Sequence, residues 1–309
     1  MHSLSKIRLP LFFSMLALAS SDLYAFGEVM IDKILRSDFV YDRDITHMPF
    51  MPIGYLTATH QNELELDQCP SGVDCEFQYQ SISQGAGFPV WVGQNQMLVV
   101  AETLDVDVFE TKTDSSTINT GGLMAAWVSQ HSLEWQSAAF AYHYQNLDSH
   151  TRSENTSGTF AGLVGRYRHG ARFHSYWGAV HFNGGGDAFT YPYAGFDWFI
   201  DRHWVISAVM PWPTINYLPD DKRIFKVGAL FSETTWSVNT DNQFHTQDFS
   251  QVSMGAAYEQ QISGAIWGEV SIGYTGLGKL QIETDADTKI TTDIANTPFI
   301  KLALNVRPF

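Results

Sequence analysis

The sequence is poor in cysteine, in basic residues and in long apolar segments. Its 309 residues include 2 Cys, and 18 Lys and Arg stand against 33 Asp and Glu, a formal net charge of −15. A chain this acidic lacks the basic surface by which proteins bind nucleic acid, so we expect no nucleic-acid partner. Its apolar runs are shorter than the roughly 18–20 residues that a membrane-spanning helix needs, so no such helix is predicted.

The first 25 residues have the organisation of a secretory signal peptide. Lys6 and Arg8 precede an apolar stretch at 9–19, and Ala25 offers a small residue for cleavage. A membrane anchor is the alternative, but the stretch is about half the roughly 20 residues that crossing a bilayer takes. We expect residues 1–25 to be removed on export.

The two cysteines, Cys69 and Cys75, bracket the short segment CPSGVDC. In an exported chain such a close pair predicts a disulfide. The alternative is a pair of metal ligands, but neither a histidine nor a second cysteine pair lies nearby at ligand spacing. We therefore expect no metal site and no cofactor.

The rest of the chain alternates between apolar and polar residues. The clearest examples are TLDVDVF (103–109), FKVGALF (225–231), QVSMGAAYEQ (251–260) and IWGEVSIGY (266–274). A period of two residues is typical of β-strands with one apolar and one polar face. About twelve strands are predicted: 50–61, 95–111, 119–131, 134–147, 157–168, 171–183, 190–200, 203–217, 222–237, 248–262, 265–282 and 297–309.

Strand length and aromatic placement favour a membrane barrel over a soluble β-sandwich. Several predicted strands exceed the usual five or six residues and match the roughly 9–11 that a tilted membrane strand needs. Eight Trp recur along the series, several near strand ends, as in an interfacial aromatic belt: Trp127, Trp135, Trp177, Trp198, Trp204, Trp212, Trp236 and Trp267. The predicted fold is all-β, an antiparallel up-and-down transmembrane β-barrel over residues 50–309.

Two segments depart from this pattern. Residues 26–49 carry mixed charge without alternation and are expected to form an N-terminal periplasmic extension or a plug. At 197–221, Pro211, Pro213 and Pro219 disturb the strand ladder, and the expected alternation of short turns and long loops inverts upstream. We expect the strand count to be off by one there.

The ending FIKLALNVRPF resembles the C-terminal signal of Gram-negative outer-membrane β-barrel proteins, a strand that closes on a terminal Phe. The resemblance implies an outer-membrane location, contact with membrane lipid and lipopolysaccharide, and reading of Phe309 by the barrel assembly machinery. Leu302 and Leu304 are out of phase with Phe309, which predicts an irregularity at Arg307–Pro308.

A second segment, residues 191–231, resembles uncharacterised outer-membrane barrels of the domain-of-unknown-function type. Those families carry a Trp-led strand ending in Pro, an aliphatic–x–Tyr element and a Gly-containing strand. The matching residues are Trp204, Pro211, Ile215, Tyr217 and Gly228. These families have no agreed activity, so the resemblance implies no catalytic residues.

Seven charged residues on polar strand faces are expected to face the lumen: Asp105, Asp107, Arg166, Arg168, Lys226, Glu259 and Glu269. Charges across a lumen can set a transverse field that screens passing ions. They can equally form a web of salt bridges that fills a closed barrel. About twelve strands would leave an interior between a filled eight-stranded barrel and an open porin.

A catalytic role is considered for His174 and Ser175. Adjacent residues of a strand point to opposite faces, so this pair cannot form a nucleophile–base hydrogen bond directly. The sequence therefore favours porin-like passage of a small solute, or a structural role, over an enzyme. The alternatives are a membrane-embedded hydrolase acting on lipid or lipopolysaccharide, and a secreted soluble β-protein.

Overall fold

The computed structural model describes residues 37, 39, 45–49, 51–66, 76–112, 115–148, 156–184, 188–209, 213–240, 243–283 and 289–307. Several sequence-based expectations fall on residues outside these ranges: the signal peptide at 1–25, most of the extension at 26–49, the Cys69–Cys75 disulfide, Pro211, Trp212, Pro308 and the terminal Phe309. Within the described part, no helix is long and apolar enough to cross a membrane.

The described chain forms fifteen β-strands. They are β1 (Gly54–Glu65), β2 (Glu76–Val92), β3 (Gln96–Glu110), β4 (Ser115–Gln130), β5 (Trp135–Asp148), β6 (Thr156–Gly170), β7 (Phe173–Gly184), β8 (Phe189–Phe199), β9 (Trp204–Ser207), β10 (Thr214–Asp220), β11 (Arg223–Thr240), β12 (Gln243–Ser263), β13 (Ile266–Glu283), β14 (Lys289–Ile294) and β15 (Thr297–Val306).

Fourteen of these strands close into a ring. Each strand from β1 to β13 pairs antiparallel with the next, and β15 joins β13 to β1. The remaining strand, β14, pairs with Gly278–Glu283 of β13, its Ile294 forms a single bridge with Leu66, and it is not one of the strands of the ring. Closure leaves no open sheet edge, which removes the unpaired backbone groups that lipid cannot solvate. The predicted antiparallel all-β barrel is confirmed.

The predicted number of about twelve strands is wrong, for two physical reasons. β2 was missed because polar residues occupy both of its faces, and Pro89 adjoins a register shift against β3. The sequence predicts one strand at 203–217, whereas the chain reverses there between β9 and β10, and Val205 pairs with Asn216. This reversal lies within the segment where the sequence predicted a miscount. β14 falls in a segment expected to be a loop.

The two ends of the barrel differ in their connections. At one end, here called the short-turn end, two to four residues join successive strands. The opposite end, the loop end, has connections of up to ten residues, as between β1 and β2. The extra strand at β9–β10 restores the alternation of turns and loops. Asp148 and Thr156, the ends of β5 and β6, therefore lie at the loop end, and residues 171–172 lie at the short-turn end.

The outer surface of the barrel is apolar. Half or more of the side-chain surface is exposed at Leu123, Leu163, Trp177, Val227, Met254, Ile272 and Leu302. In water such a surface would be costly, whereas lipid accepts it. A sandwich would bury its apolar faces between two sheets, so this closed barrel excludes the soluble sandwich that the sequence left open.

Aromatic side chains form a belt on the outer surface near the short-turn end. Trp91 stacks on Trp127 with ring centroids 5.3 Å apart, and Trp135 lies 5.0 Å from Trp177. The belt continues through Trp204–Tyr217 and Phe225–Tyr258. Closure, an apolar exterior and an aromatic belt are together the architecture of an outer-membrane β-barrel. Trp267, counted with the belt from sequence, instead points inward and is buried.

The last strand is regular as far as it is described. β15 pairs with β13 without a register shift up to Val306, and the Arg307 N–H donates to the Ala265 carbonyl at 2.8 Å. Because Pro308 lies outside the described residues, the predicted irregularity at Arg307–Pro308 stays a prediction.

Candidate functional site

The barrel encloses a cavity of about 790 Å³. Side chains of β1 to β5 line one side of it, and side chains of β11, β12, β13 and β15 line the other. Most of the residues that line it carry a hydroxyl, amide or charged group, because strand alternation turns the polar faces inward. The cavity is large enough for a small-molecule ligand.

Two carboxylates, Asp105 and Asp107, stand on the β3 wall of this cavity. Asp107 is 5% exposed and its Oδ1 accepts a hydrogen bond of 2.7 Å from the Tyr79 hydroxyl. Asp105 is paired in register with Ser83 of β2, whose hydroxyl hydrogen-bonds to it. Both acidic groups therefore sit beside neutral hydroxyls. Sequence alternation in TLDVDVF explains why both point the same way.

Three cations and two carboxylates form a network on the opposite wall. Lys226 Nζ lies 2.6 Å from Glu259 Oε2 and 2.7 Å from Glu269 Oε2. Lys301 Nζ lies 3.2 Å from Glu269 Oε1. Arg307 donates two hydrogen bonds to the fully buried Glu259, from Nε at 2.8 Å and Nη2 at 3.0 Å. Buried charges need such complete pairing, because an isolated ion in a protein interior is strongly disfavoured.

Sequence analysis missed Lys301 and Arg307 as members of this network. Lys301 shares the inward face of β15 with Ala303 and Asn305, and it could have been found by the same alternation that singled out Lys226. Arg307 could not, because its contact with Glu259 depends on ring closure. The Asn305 amide also donates to Glu259, at 3.0 Å.

The other predicted lumen residues, Arg166 and Arg168, are absent from the described lining of the cavity. They point inward from β6 near the short-turn end. Arg166 donates from Nη2 to the Nδ1 of His174 at 3.0 Å, and the His174 ring packs on Phe199 with centroids 5.1 Å apart. These residues belong to the packing of that end.

The catalytic candidates do not come together. His174 is completely buried inside the barrel. Ser175 lies on the outer face, where its hydroxyl is 2.9 Å from Nε2 of the exposed His169. The side chains of His174 and Ser175 thus point to opposite sides of the wall, as strand geometry requires.

An aromatic cluster crosses the lumen at the loop end of the cavity. Phe249 of β12 contacts Phe77, Tyr79 and Phe109 of β2 and β3, with centroids 6.2, 5.6 and 5.4 Å apart. Because β13, β15 and β1 lie between these strands in the ring, the rings meet across the interior. We call Phe77, Tyr79, Phe109 and Phe249 the aromatic plug.

The short-turn end is closed by a second apolar cluster and by residues 45–49. Phe199, Val205, Leu218, Ile224 and Trp267 pack together, and Ile45 and Met48 pack against them. The His47 N–H donates to the Arg202 carbonyl at 3.1 Å, and the His47 ring contacts Asp221.

The turn between β8 and β9 carries a local cap at this mouth. Asp201 Oδ1 accepts the backbone N–H groups of His203 at 2.7 Å and Trp204 at 2.9 Å. These backbone hydrogen bonds, chiefly that from His203, hold the pKa of Asp201 below its usual value, because they favour the ionised carboxylate.

Comparisons with known proteins return structural similarity only. No protein-family model and no curated protein matches the chain. A deltaS2 mutant of the TodX monoaromatic hydrocarbon channel has a TM-score of 0.48 at 7% identity, covering 83% of this chain and 90% of that one. The translocator domain of the autotransporter NalP from Neisseria meningitidis has a TM-score of 0.37 at 12% identity, covering 95% and 98%. A FadL homologue from Pseudomonas aeruginosa has a TM-score of 0.36 at 9% identity, and the match covers 82% of this chain and 89% of that one.

Proposed function

We propose that the protein is an outer-membrane β-barrel, residues 50–309, through which a small polar solute passes. The polar cavity of about 790 Å³ inside an apolar shell is the observation that carries this proposal. A barrel with only a structural role would gain by filling this space with side chains, because protein interiors are normally close-packed.

The proposed orientation follows from the connections. Short turns are typical of the periplasmic side and long loops of the extracellular side. The aromatic plug would then face the outside, and residues 26–49 would plug the periplasmic mouth after removal of the signal peptide. The assembly machinery would read Phe309, a Cys69–Cys75 disulfide would pin the first loop, and the outer surface would contact lipid and lipopolysaccharide.

Passage through this lumen requires a gate to open. The aromatic plug and the apolar cluster at the short-turn end bound the cavity on its two sides. Apolar constrictions can gate a pore by excluding water until side chains move. We therefore expect brief, infrequent openings, in contrast to the steady conductance of an open pore.

The test is conductance and liposome swelling with refolded full-length chain. Discrete openings in planar bilayers, together with swelling driven by small neutral sugars or amino acids, support the proposal. Protein that refolds, shown by heat-modifiable gel mobility, yet neither conducts nor swells liposomes would overturn it. Turnover of a lipid ester that is lost on replacing His174 or Ser175 would support the hydrolase instead.

A further inference from the structure

We propose that the cavity binds a small organic ammonium ion between the β3 carboxylates and the tyrosines beside them. The inference rests on the proposed function, because it names the class of solute that the same cavity would take. The site is built by Asp105 and Asp107, by the amides of Gln61 and Gln251, and by the rings of Tyr55 and Tyr142.

The first observation concerns charge. Within the described chain, Asp105 and Asp107 form no ion pair with Lys or Arg; Asp107 accepts a hydrogen bond from Tyr79 and Asp105 accepts one from Ser83. The lysines across the cavity are held by Glu259 and Glu269. A buried carboxylate at Asp107 and a partly buried one at Asp105 are costly without a counter-ion, and a bound cation would offset that cost.

The second observation is independent of the carboxylates. Gln61 and Gln251 both line the cavity and are 2% and 4% exposed, yet within the described structure neither Oε1 accepts a hydrogen bond. A buried acceptor without a donor costs roughly 1–3 kcal/mol. Both oxygens are covered in the structure, although their residues line the cavity, so each side chain must rotate to present its oxygen to a ligand. A ligand rich in N–H donors would then satisfy both amides and both carboxylates.

Three of these acceptors, Gln61, Gln251 and Asp107, lie within two residues of the aromatic plug along the strands, and Asp105 lies two residues further along β3. Gln61 is paired in register with Tyr79, which donates to Asp107. Gln251 is two residues from Phe249, whose ring lies 5.6 Å from that of Tyr79. An ammonium group at this level can therefore be reached from both walls.

The tyrosines distinguish an organic cation from a metal ion. A Cβ added to Gly85 would lie 2.6 Å from the Tyr55 ring, and one added to Gly122 would lie 2.5 Å from the Tyr142 ring. Both rings therefore lie against glycine backbone, and both line the cavity. Ring faces attract ammonium groups by cation–π interaction and pack against their carbon substituents.

The experiment is calorimetric titration of the refolded full chain with benzylammonium, benzyl alcohol, benzoate and Mg²⁺. Benzylammonium should bind at least about tenfold more tightly than the near-isosteric alcohol, a factor that corresponds to one well-placed charge contact. Benzoate should bind more weakly still. Equal affinities for the alcohol and the ammonium ion, or binding of Mg²⁺ in preference to benzylammonium, would overturn the inference.

Variants locate the site. Asp105→Asn with Asp107→Asn should weaken benzylammonium binding at least about tenfold, whereas Glu102→Gln should not change it. Glu102 is the matched control, because it is an exposed carboxylate on the outer face of the same strand. Unchanged affinity in the double variant would refute the site. If the double variant fails to refold, the comparison of ammonium and alcohol on the unaltered chain decides the question.

The outcome separates this inference from the proposed function. If the protein conducts and swells liposomes but binds benzylammonium no more tightly than benzyl alcohol, the inference is refuted and the proposal of solute passage stands. Ammonium binding without conductance or swelling would support the site and refute passage.

Discussion

Arg307 reaches across β13 to form a bidentate ion pair with Glu259. Its Nε and Nη2 lie 2.8 and 3.0 Å from the two carboxylate oxygens, and its guanidinium carbon lies 5.8 Å from the centre of the Trp267 ring. The pair ties the end of β15 to β12, its second neighbour in the ring. It therefore secures the strand that closes the barrel.

Replacing Glu259 by Gln should destabilise the barrel severely. Lys226 and Arg307 would then face a neutral amide in a buried site, and breaking a buried ion pair costs about 3–5 kcal/mol. Urea unfolding in detergent, followed by tryptophan fluorescence, measures this loss. Glu63→Gln is the control, because Glu63 is exposed on β1. Equal losses in the two variants would contradict a special role for Glu259.

The pairing itself can be isolated from the cost of an unpaired charge. A double-mutant cycle of Glu259→Gln and Arg307→Met should show a coupling free energy of about 1–3 kcal/mol, because the two side chains are in direct contact and each loses this buried partner when the other is replaced. A coupling near zero would mean that Lys226 alone satisfies Glu259.

Phe249→Ala should open the loop end of the lumen. The Phe249 ring contacts three rings from the opposite wall, so its removal leaves a gap in the aromatic plug. We expect a larger single-channel conductance and longer openings, with a loss of about 3–5 kcal/mol in stability. Phe225→Ala is the control: it removes another phenylalanine side chain, from the outer belt, and should leave the conductance unchanged. A Phe249 variant with unaltered conductance would place the constriction elsewhere.

Ile45→Ser with Met48→Ser should loosen the short-turn end. Both side chains pack on the cluster around Trp267, and each half-buried apolar side chain contributes on the order of 1 kcal/mol. We expect more frequent openings in bilayer recordings. Met51→Ser is the control, because Met51 is 84% exposed. The same opening frequency in both variants would argue that residues 45–49 do not gate the mouth.

The sequence could predict the barrel wall wherever the apolar residues of a strand fall mainly on one face. This condition holds for β3, β12 and β15, so the inward direction of Asp105, Asp107 and Glu259 followed from alternation. It fails in β2, where Gln78, Gln80 and Gln84 face outward among short apolar residues. The pattern of polar and apolar residues then does not show which residues face inward, so the segment is predicted as a loop.

Contacts across the lumen were beyond prediction for a different reason. Alternation gives the direction of a side chain but not the strand that it faces. Phe249 meets Phe77 and Arg307 meets Glu259 because fourteen strands close at a particular register. Inward aromatics such as Trp267 also break the rule of a polar lumen, because apolar clusters bound the cavity at both ends.

Gly122→Ala should displace the Tyr142 ring, whereas Gly121→Ala should be tolerated. A Cβ at Gly122 would lie 2.5 Å from carbon atoms of that ring, which cannot move without breaking the 2.8 Å hydrogen bond between Tyr142 and Thr103. At Gly121 the nearest atom would be Leu104 Cδ2, at 3.6 Å. Overpacking of this kind costs about 1–3 kcal/mol, measured by urea unfolding. Equal stability of the two variants would show that Tyr142 is not held against Gly122.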